Sequence, residues 1–140
     1  MSKLIGKKMR MTQMYKGDKV VPITPVQLVS GETGDFKAGD LVRVSGITKG
    51  KGFAGVVKRH GFHGGPATHG QKNRQRAPGS IGNTTPQRVL PGRRMAGHMG
   101  VVRATIKNLT LVELKPEEKM IWLRGAVPGN PGGRVEIYKK

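Results

Sequence analysis

The chain reads as a mostly β protein: a small antiparallel β-barrel interrupted by a long, irregular, basic extension. Three observations predict this. Short β-branched runs cluster near both ends, between residues 19 and 44 and between 102 and 138. No stretch keeps a 3.6-residue apolar period over three turns. All eight carboxylates (Asp18, Glu32, Asp35, Asp40, Glu113, Glu117, Glu118 and Glu136) fall outside residues 41–112, a window that holds thirteen Lys and Arg and all four His. The ends are close to balanced in charge, and the middle is one-signed. The expected division is a discontinuous barrel, residues 1–45 and 101–140, around an extended loop, residues 46–100.

The elements follow in order. Lys19–Val29 is β-branched, but Pro22 and Pro25 restrict it to an edge or a bulged strand. Leu41–Val44 is short and apolar, with Arg43 breaking the run. Val102, Ala104 and Ile106 alternate with Arg103 and Thr105, which predicts a strand. Its phase slips near Asn108 before Leu109 and Leu111 continue, which predicts a bulge. Met120–Leu123 and Arg134–Tyr138 complete the set. KPEEK (115–119) and PGNPGG (128–133) are turn material between strands.

Residues 46–100 differ in kind. They hold thirteen of the 22 glycines, and their apolar residues are scattered singly. Such a segment buries too little surface to offset its ordering entropy. A loop of this length in a compact domain is functional or disordered. The whole chain is 35% hydrophobic and 4% aromatic, so its core must be thin.

The formal net charge of +18 attracts polyanions, a nucleic acid first and an anionic membrane surface second. Cys is absent, which removes disulfides and thiolate chemistry and fits a reducing compartment. The N-terminal MSKLIGKKMRMT has no apolar run resembling a signal peptide. No segment approaches the roughly 20 apolar residues of a membrane span.

GITKGKGFAG (46–55) places Gly50, Gly52 and Gly55 at G-x-G-x-x-G spacing. A dinucleotide fingerprint needs a helix opening at these glycines and an acid about 20 residues on. Here β-branched residues and more glycines follow, with no acid. The competing readings are a solvated loop and a backbone that meets phosphate oxygens closely because no Cβ intervenes. Lys49, Lys51, Lys58 and Arg59 supply neutralising charge for the latter. His60, His63 and His69 have no carboxylate nearby to orient them as metal ligands, so no metal is expected. Stacking on bases or contact with phosphate suits them better. Ser80 in PGSIG matches a nucleophile elbow only loosely, and no catalytic constellation or cofactor site is expected. Arg74, Arg76, Arg88, Arg93 and Arg94 lie among Gly, Pro and amide residues. This setting favours RNA, whose phosphates and exposed bases suit guanidinium groups. A reader of duplex DNA would usually offer a recognition helix, and none is visible.

SKLIGKKMRMTQMY, GITKGKGFAGVVKRHGFHGGPATHG, RAPGSIGNTTPQRV, RRMAGHMG and LRGAVPG stand in the order found in the bacterial large ribosomal subunit protein L-three family. The resemblance covers nearly the whole chain. It implies a β-barrel at the subunit surface and a long extension into 23S-type rRNA, acting early in subunit assembly. Carried over by residue, it places the extension's basic stem on Lys49, Lys51, Lys58, Arg59, His60, His69, Arg76, Arg88, Arg93 and Arg94, and with Lys72 and Arg74 of the same basic window these are the expected rRNA contacts. It places the extension tip, near the peptidyl transferase centre, at Gly79–Gln87, with Gly82, Asn83, Thr84, Thr85 and Gln87 foremost. Implied partners are 23S-type rRNA and neighbouring large-subunit proteins, with no membrane and no small-molecule substrate. The implied location is the cytoplasmic ribosome, with an organellar ribosome as an open alternative.

There are departures. SGETGDFKAGDLVRV (30–44) stands where the family carries further strands and a helical insertion, so a trimmed barrel is expected. Arg10 replaces a common Gly, and the loop after Gly82 is about one residue short. A free-standing nucleic-acid module working off the ribosome is the alternative reading.

Overall fold

The computed structural model describes residues 3–139. Its elements are β1 (Lys3–Lys8), β2 (Thr12–Lys16), β3 (Lys19–Ser30), β4 (Leu41–Ile47), β5 (Gly52–Ala54), α1 (Val56–His60), β6 (Gly97–Met99), β7 (Arg103–Lys115), β8 (Met120–Arg124) and β9 (Arg134–Lys139). The chain divides into two units, Met1–Lys49 with Val101–Lys140, and Gly50–Gly100.

The first unit is a closed barrel. Its strand order is β1-β9-β4-β7-β8-β3, and β3 returns to pair with β1. Six antiparallel strands thus close on themselves, while β2 continues along β3 beyond the closure. Closure leaves none of the six without two neighbours.

Period-two alternation sets the interior. Val135 and Ile137 of β9 point inward, as do Val42 and Val44 of β4, and all four are at most 1% exposed. Besides the polar Thr24, the fully buried set is completed by the apolar Leu4, Ile23, Val26, Leu111, Ile121 and Leu123. Each such side chain contributes about 1.5–3 kcal/mol relative to exposure. The short 30–40 connection adds Phe36 to this core. It is tied down by Gly39 N–H to Leu111 O and Leu111 N–H to Asp40 O, at 2.8 and 2.9 Å. This connection therefore supplies a plug of its own.

A six-stranded barrel is narrow, and Gly6 shows where closure is tightest. A Cβ there would fall 2.5 Å from Val26 Cγ1 and 2.6 Å from the Gln27 carbonyl oxygen. At the barrel's inner wall Lys8 takes the next inward position. Its ammonium donates to Val127 O at 2.6 Å and Gly129 O at 2.7 Å. Burial, and then the charge of Lys49, lowers its pKa.

The structure corrects several sequence expectations. β3 is not an edge: it pairs with β8 on one side and with β1 and β2 on the other. It does carry a bulge, because Ile5 opposes Ser30 while Gly6 opposes Leu28, which leaves Val29 as the extra residue. Its prolines are tolerated because they sit where ladders stop. The Pro25 carbonyl accepts from Met9, in the gap between β1 and β2, and the Pro22 carbonyl accepts from Gly125, one residue past β8. A residue's N–H and C=O face the same neighbour, so each missing N–H falls where no strand needs it. β4 runs on to Ile47, with Arg43 on its outer face rather than breaking it. β1, β2, β5 and β6 were not expected at all. The apolar face of Val102, Ala104 and Ile106 stays largely exposed. The bulge near Asn108 is present. Val42 opposes Leu109 and Val44 opposes Ile106, so β7 spends one extra residue there, with Asn108 at φ 58°.

The second unit is mostly turns. β5 and β6 form a two-stranded ribbon, and α1 follows β5 directly. Among its described residues, Ala54 and Val56 are the buried ones. No helix of the described residues is long and apolar enough to cross a membrane.

Candidate nucleic-acid interface

The unit of residues 50–100 holds nine Lys and Arg and no carboxylate. No ion pair can form inside it, and its cations point mostly to solvent. Lys51, Lys58, Lys72, Arg74, Arg76, Arg88, Arg93 and Arg94 are exposed, as is His69, while Arg59 and His60 are half-buried. Lys49, also exposed, belongs to the barrel unit.

The helix α1 corrects the reading of the glycine-rich stretch. Gly55 is its N-cap, and Gly61 closes it with φ 72° and an N–H to Val57 O. At five residues after a three-residue strand, and with no acid following, it does not make a dinucleotide site. It does bring two predicted residues together. Arg59 Nη1 and His60 Nε2 both donate to the Met95 carbonyl, at 2.7 and 3.0 Å.

Residues 61–79 fold back on themselves through glycine. Gly65 N–H is shared between Arg74 O and Gln75 O. Gly64, at φ 74°, passes so close to Gln75 O that a Cβ would lie 1.9 Å from it. This close approach leaves a cavity of about 670 Å³ lined by His60, Phe62, His63, Arg74 and Arg94 among others. The tip is held by its own polar groups. Ser80 Oγ donates to Gly82 O at 2.8 Å, Asn83 Oδ1 accepts from Thr84 N–H at 2.8 Å, and the Arg93 guanidinium donates to Ser80 O. Gly82, Asn83, Thr84, Thr85 and Gln87 are all exposed.

The structure thus groups Arg59 with His60, Arg74 with Arg94, and Arg93 with the tip. Arg88 also lines the tip's hollows with Gly82, Asn83 and Thr84, while Lys51, Lys58, His69, Lys72 and Arg76 stay dispersed along the unit. No group of three or more His, Cys, Asp or Glu that could hold a metal occurs among the described residues.

The sequence reading missed a second basic surface, on the barrel wall. β1, β9, β4 and β7 lie side by side, and their outward residues fall in register. Tyr138 lies between Lys3 and Arg43, and Glu136 lies between Ile5 and Ser45. Arg134 pairs with Lys7, and Arg103 with Ile47. Glu136 is the single carboxylate among five cations. Lys3 Nζ is 3.2 Å from it, an Arg103 nitrogen 2.6 Å and an Arg134 nitrogen 3.7 Å. The Tyr138 hydroxyl donates to it at 2.9 Å, and the Arg43 guanidinium stacks over the Tyr138 ring at 4.8 Å. The Tyr138 and Lys3 hydrogen bonds, with help from Arg103, hold the Glu136 carboxyl down at about 2 against some burial. Alternation in RVEIY is the one sequence signal for this face. The four-strand juxtaposition is set by long-range pairing that no local pattern records.

Comparison with known proteins fits this architecture. The profile of the family described as Ribosomal protein L3 matches residues 24–126. The large ribosomal subunit protein uL3 of Legionella pneumophila (strain Corby) is 51% identical over 124 residues, covering 88% of this chain and 57% of that protein. The proteins of the same name from Desulforapulum autotrophicum and Chlorobaculum tepidum are 54% and 55% identical over 105 and 103 residues. Those matches cover 74% and 73% of this chain but 50% and 49% of theirs. The chain spans about half the length of these relatives. With a closed barrel, a carboxylate-free basic unit and a match over most of its length, the chain belongs to the Ribosomal protein L3 family, a family of ribosomal proteins rather than of enzymes.

Proposed function

We propose that the chain is a structural, RNA-binding component of the large ribosomal subunit in the cytoplasm, using no cofactor. It binds 23S-type rRNA, works beside neighbouring large-subunit proteins and supports early subunit assembly. The unit of residues 50–100 makes the main contacts, through Lys51, Lys58, Arg59, His60, His69, Lys72, Arg74, Arg76, Arg88, Arg93 and Arg94, with Lys49 at its root. The tip, Gly82, Asn83, Thr84, Thr85 and Gln87, is directed toward the peptidyl transferase centre.

The observation that carries this reading is nine Lys and Arg in 51 residues with no internal carboxylate and almost no buried apolar surface. Such a unit gains most of its order from a polyanion. Glycine lets its backbone approach phosphates, and the guanidinium groups bind phosphate bidentately or stack on bases.

The test is a salt titration of the full chain on a 23S rRNA fragment. Affinity should fall by about 0.7–0.9 log units per log unit of salt for each phosphate neutralised. Alanine replacement of Arg74, Arg76, Arg88, Arg93 and Arg94 together should flatten that slope by several phosphates. A slope near zero, or one unchanged by the five replacements, refutes the reading. Co-sedimentation with the large subunit then separates a subunit component from a module working off the ribosome.

A further inference from the structure

The ribbon of β5 and β6 is clothed on the wrong side for a free protein. Phe53 opposes His98 directly across the ribbon, between the pairs Gly52–Met99 and Ala54–Gly97. Residues directly opposite in an antiparallel pair present their side chains on the same face. The Ala54–Gly97 face is covered. Ala54 is buried, and the Arg59 guanidinium lies so close over Gly97 that a Cβ there would be 2.9 Å from Nη1. The other face carries two rings and is open. Phe53 is 80% exposed, more than any other large apolar side chain described, and His98 is exposed as well.

A bare phenyl ring in a unit of cations and glycines has no use for solvent. The covered face of the ribbon holds Ala54 and Gly97 instead. We infer that Phe53 and His98 form a stacking platform for an unpaired nucleobase of RNA. Charge selects that occupant over an apolar protein segment. The unit has no carboxylate, Lys51 lies two residues before Phe53, and Lys51 N–H is engaged with Met99 O at 2.9 Å, so the backbone that carries this cation is anchored to the ribbon. Phosphates drawn to Lys51 bring their bases to the rings. Every base has a π-face, so the platform reads single-strandedness rather than sequence. This inference rests on the RNA-binding reading above and adds a residue pair that reading did not include.

The test compares the full chain with Phe53→Leu and Phe53→Trp on a labelled single-stranded RNA and on a duplex RNA of equal length. Leucine keeps the apolar bulk and removes the π-face, and tryptophan enlarges it. The expected result is about tenfold weaker binding of the single strand by Phe53→Leu, duplex binding within about twofold of the parent, and full retention by Phe53→Trp. Equal affinity of Phe53→Leu and parent for the single strand overturns the platform, as does an equal loss on both RNAs. If the parent chain binds neither RNA, the proposed function itself fails, a result distinct from either of those.

Discussion

At the scale of single residues, two charged groups in the barrel behave in opposite ways. Glu136 is held ionised by a hydroxyl and three cations, and its carboxyl sits at about 2 instead of the usual 4.5. A carboxyl depressed by folding contributes stability that is complete above 4.5 and disappears as pH falls through about 2. The barrel should therefore lose stability over that window, and Glu136→Gln should flatten the loss while costing about 1 kcal/mol near neutrality. Thermal melts of both proteins from pH 7 to pH 2 check this. Lys8 is the reverse case, a cation whose protonated form is disfavoured by burial and by Lys49. Among the described residues it has no carboxylate partner; two backbone carbonyls satisfy it instead. Lys8→Met removes a buried charge but strands the carbonyls of Val127 and Gly129, both in buried residues. Unpaired buried acceptors cost more than one lost hydrogen bond contributes. Denaturant unfolding should show Lys8→Met destabilised by about 1–2 kcal/mol.

At the scale of elements, the sequence could be read wherever side chains rather than pairings decide. β8, β9 and most of β3 announce themselves because β-branched and aromatic residues alternate or cluster there. β1 does not, because its inward positions are Leu4, Gly6 and Lys8, and two of those three are not apolar. β2 is exposed nearly throughout and exists because β3 runs beside it. β5 and β6 are three residues each, too short for any period to register. The bulge in β7 was legible because the apolar phase breaks, and its backbone makes a further prediction. Asn108 occupies the left-handed region, which asparagine adopts at less cost than a β-branched residue does. Asn108→Val should cost about 1–2 kcal/mol in denaturant melts. The site divides along the same line. The acid-free window exposed the cations of the second unit, one by one, in sequence. What it could not yield was Arg59 and His60 meeting at Met95, or four strands laying Lys3, Arg43, Arg103 and Arg134 around Glu136, because those neighbours are distant in the chain.

At the scale of the whole molecule, the two units are stabilised by different physics. The barrel is held by buried aliphatic side chains and a closed hydrogen-bond ladder, so heat and denaturant should govern it and salt should matter little. The unit of residues 50–100 buries only Ala54 and Val56 and closes no ladder, so ionic strength should govern its proposed association with RNA while leaving the barrel's melting nearly unchanged; calorimetry and binding on one salt series check both together. The strand order carries a last consequence. β9 inserts between β1 and β4, and Lys3 finds its partner at Tyr138. A chain made from its N-terminus cannot seal this cylinder until β9 has emerged. The cationic segment is therefore in the open, free to meet a polyanion, before the scaffold that carries it can finish folding. Closing a ring across so much chain is entropically slow, and that delay gives capture of the segment time to precede completion of the barrel.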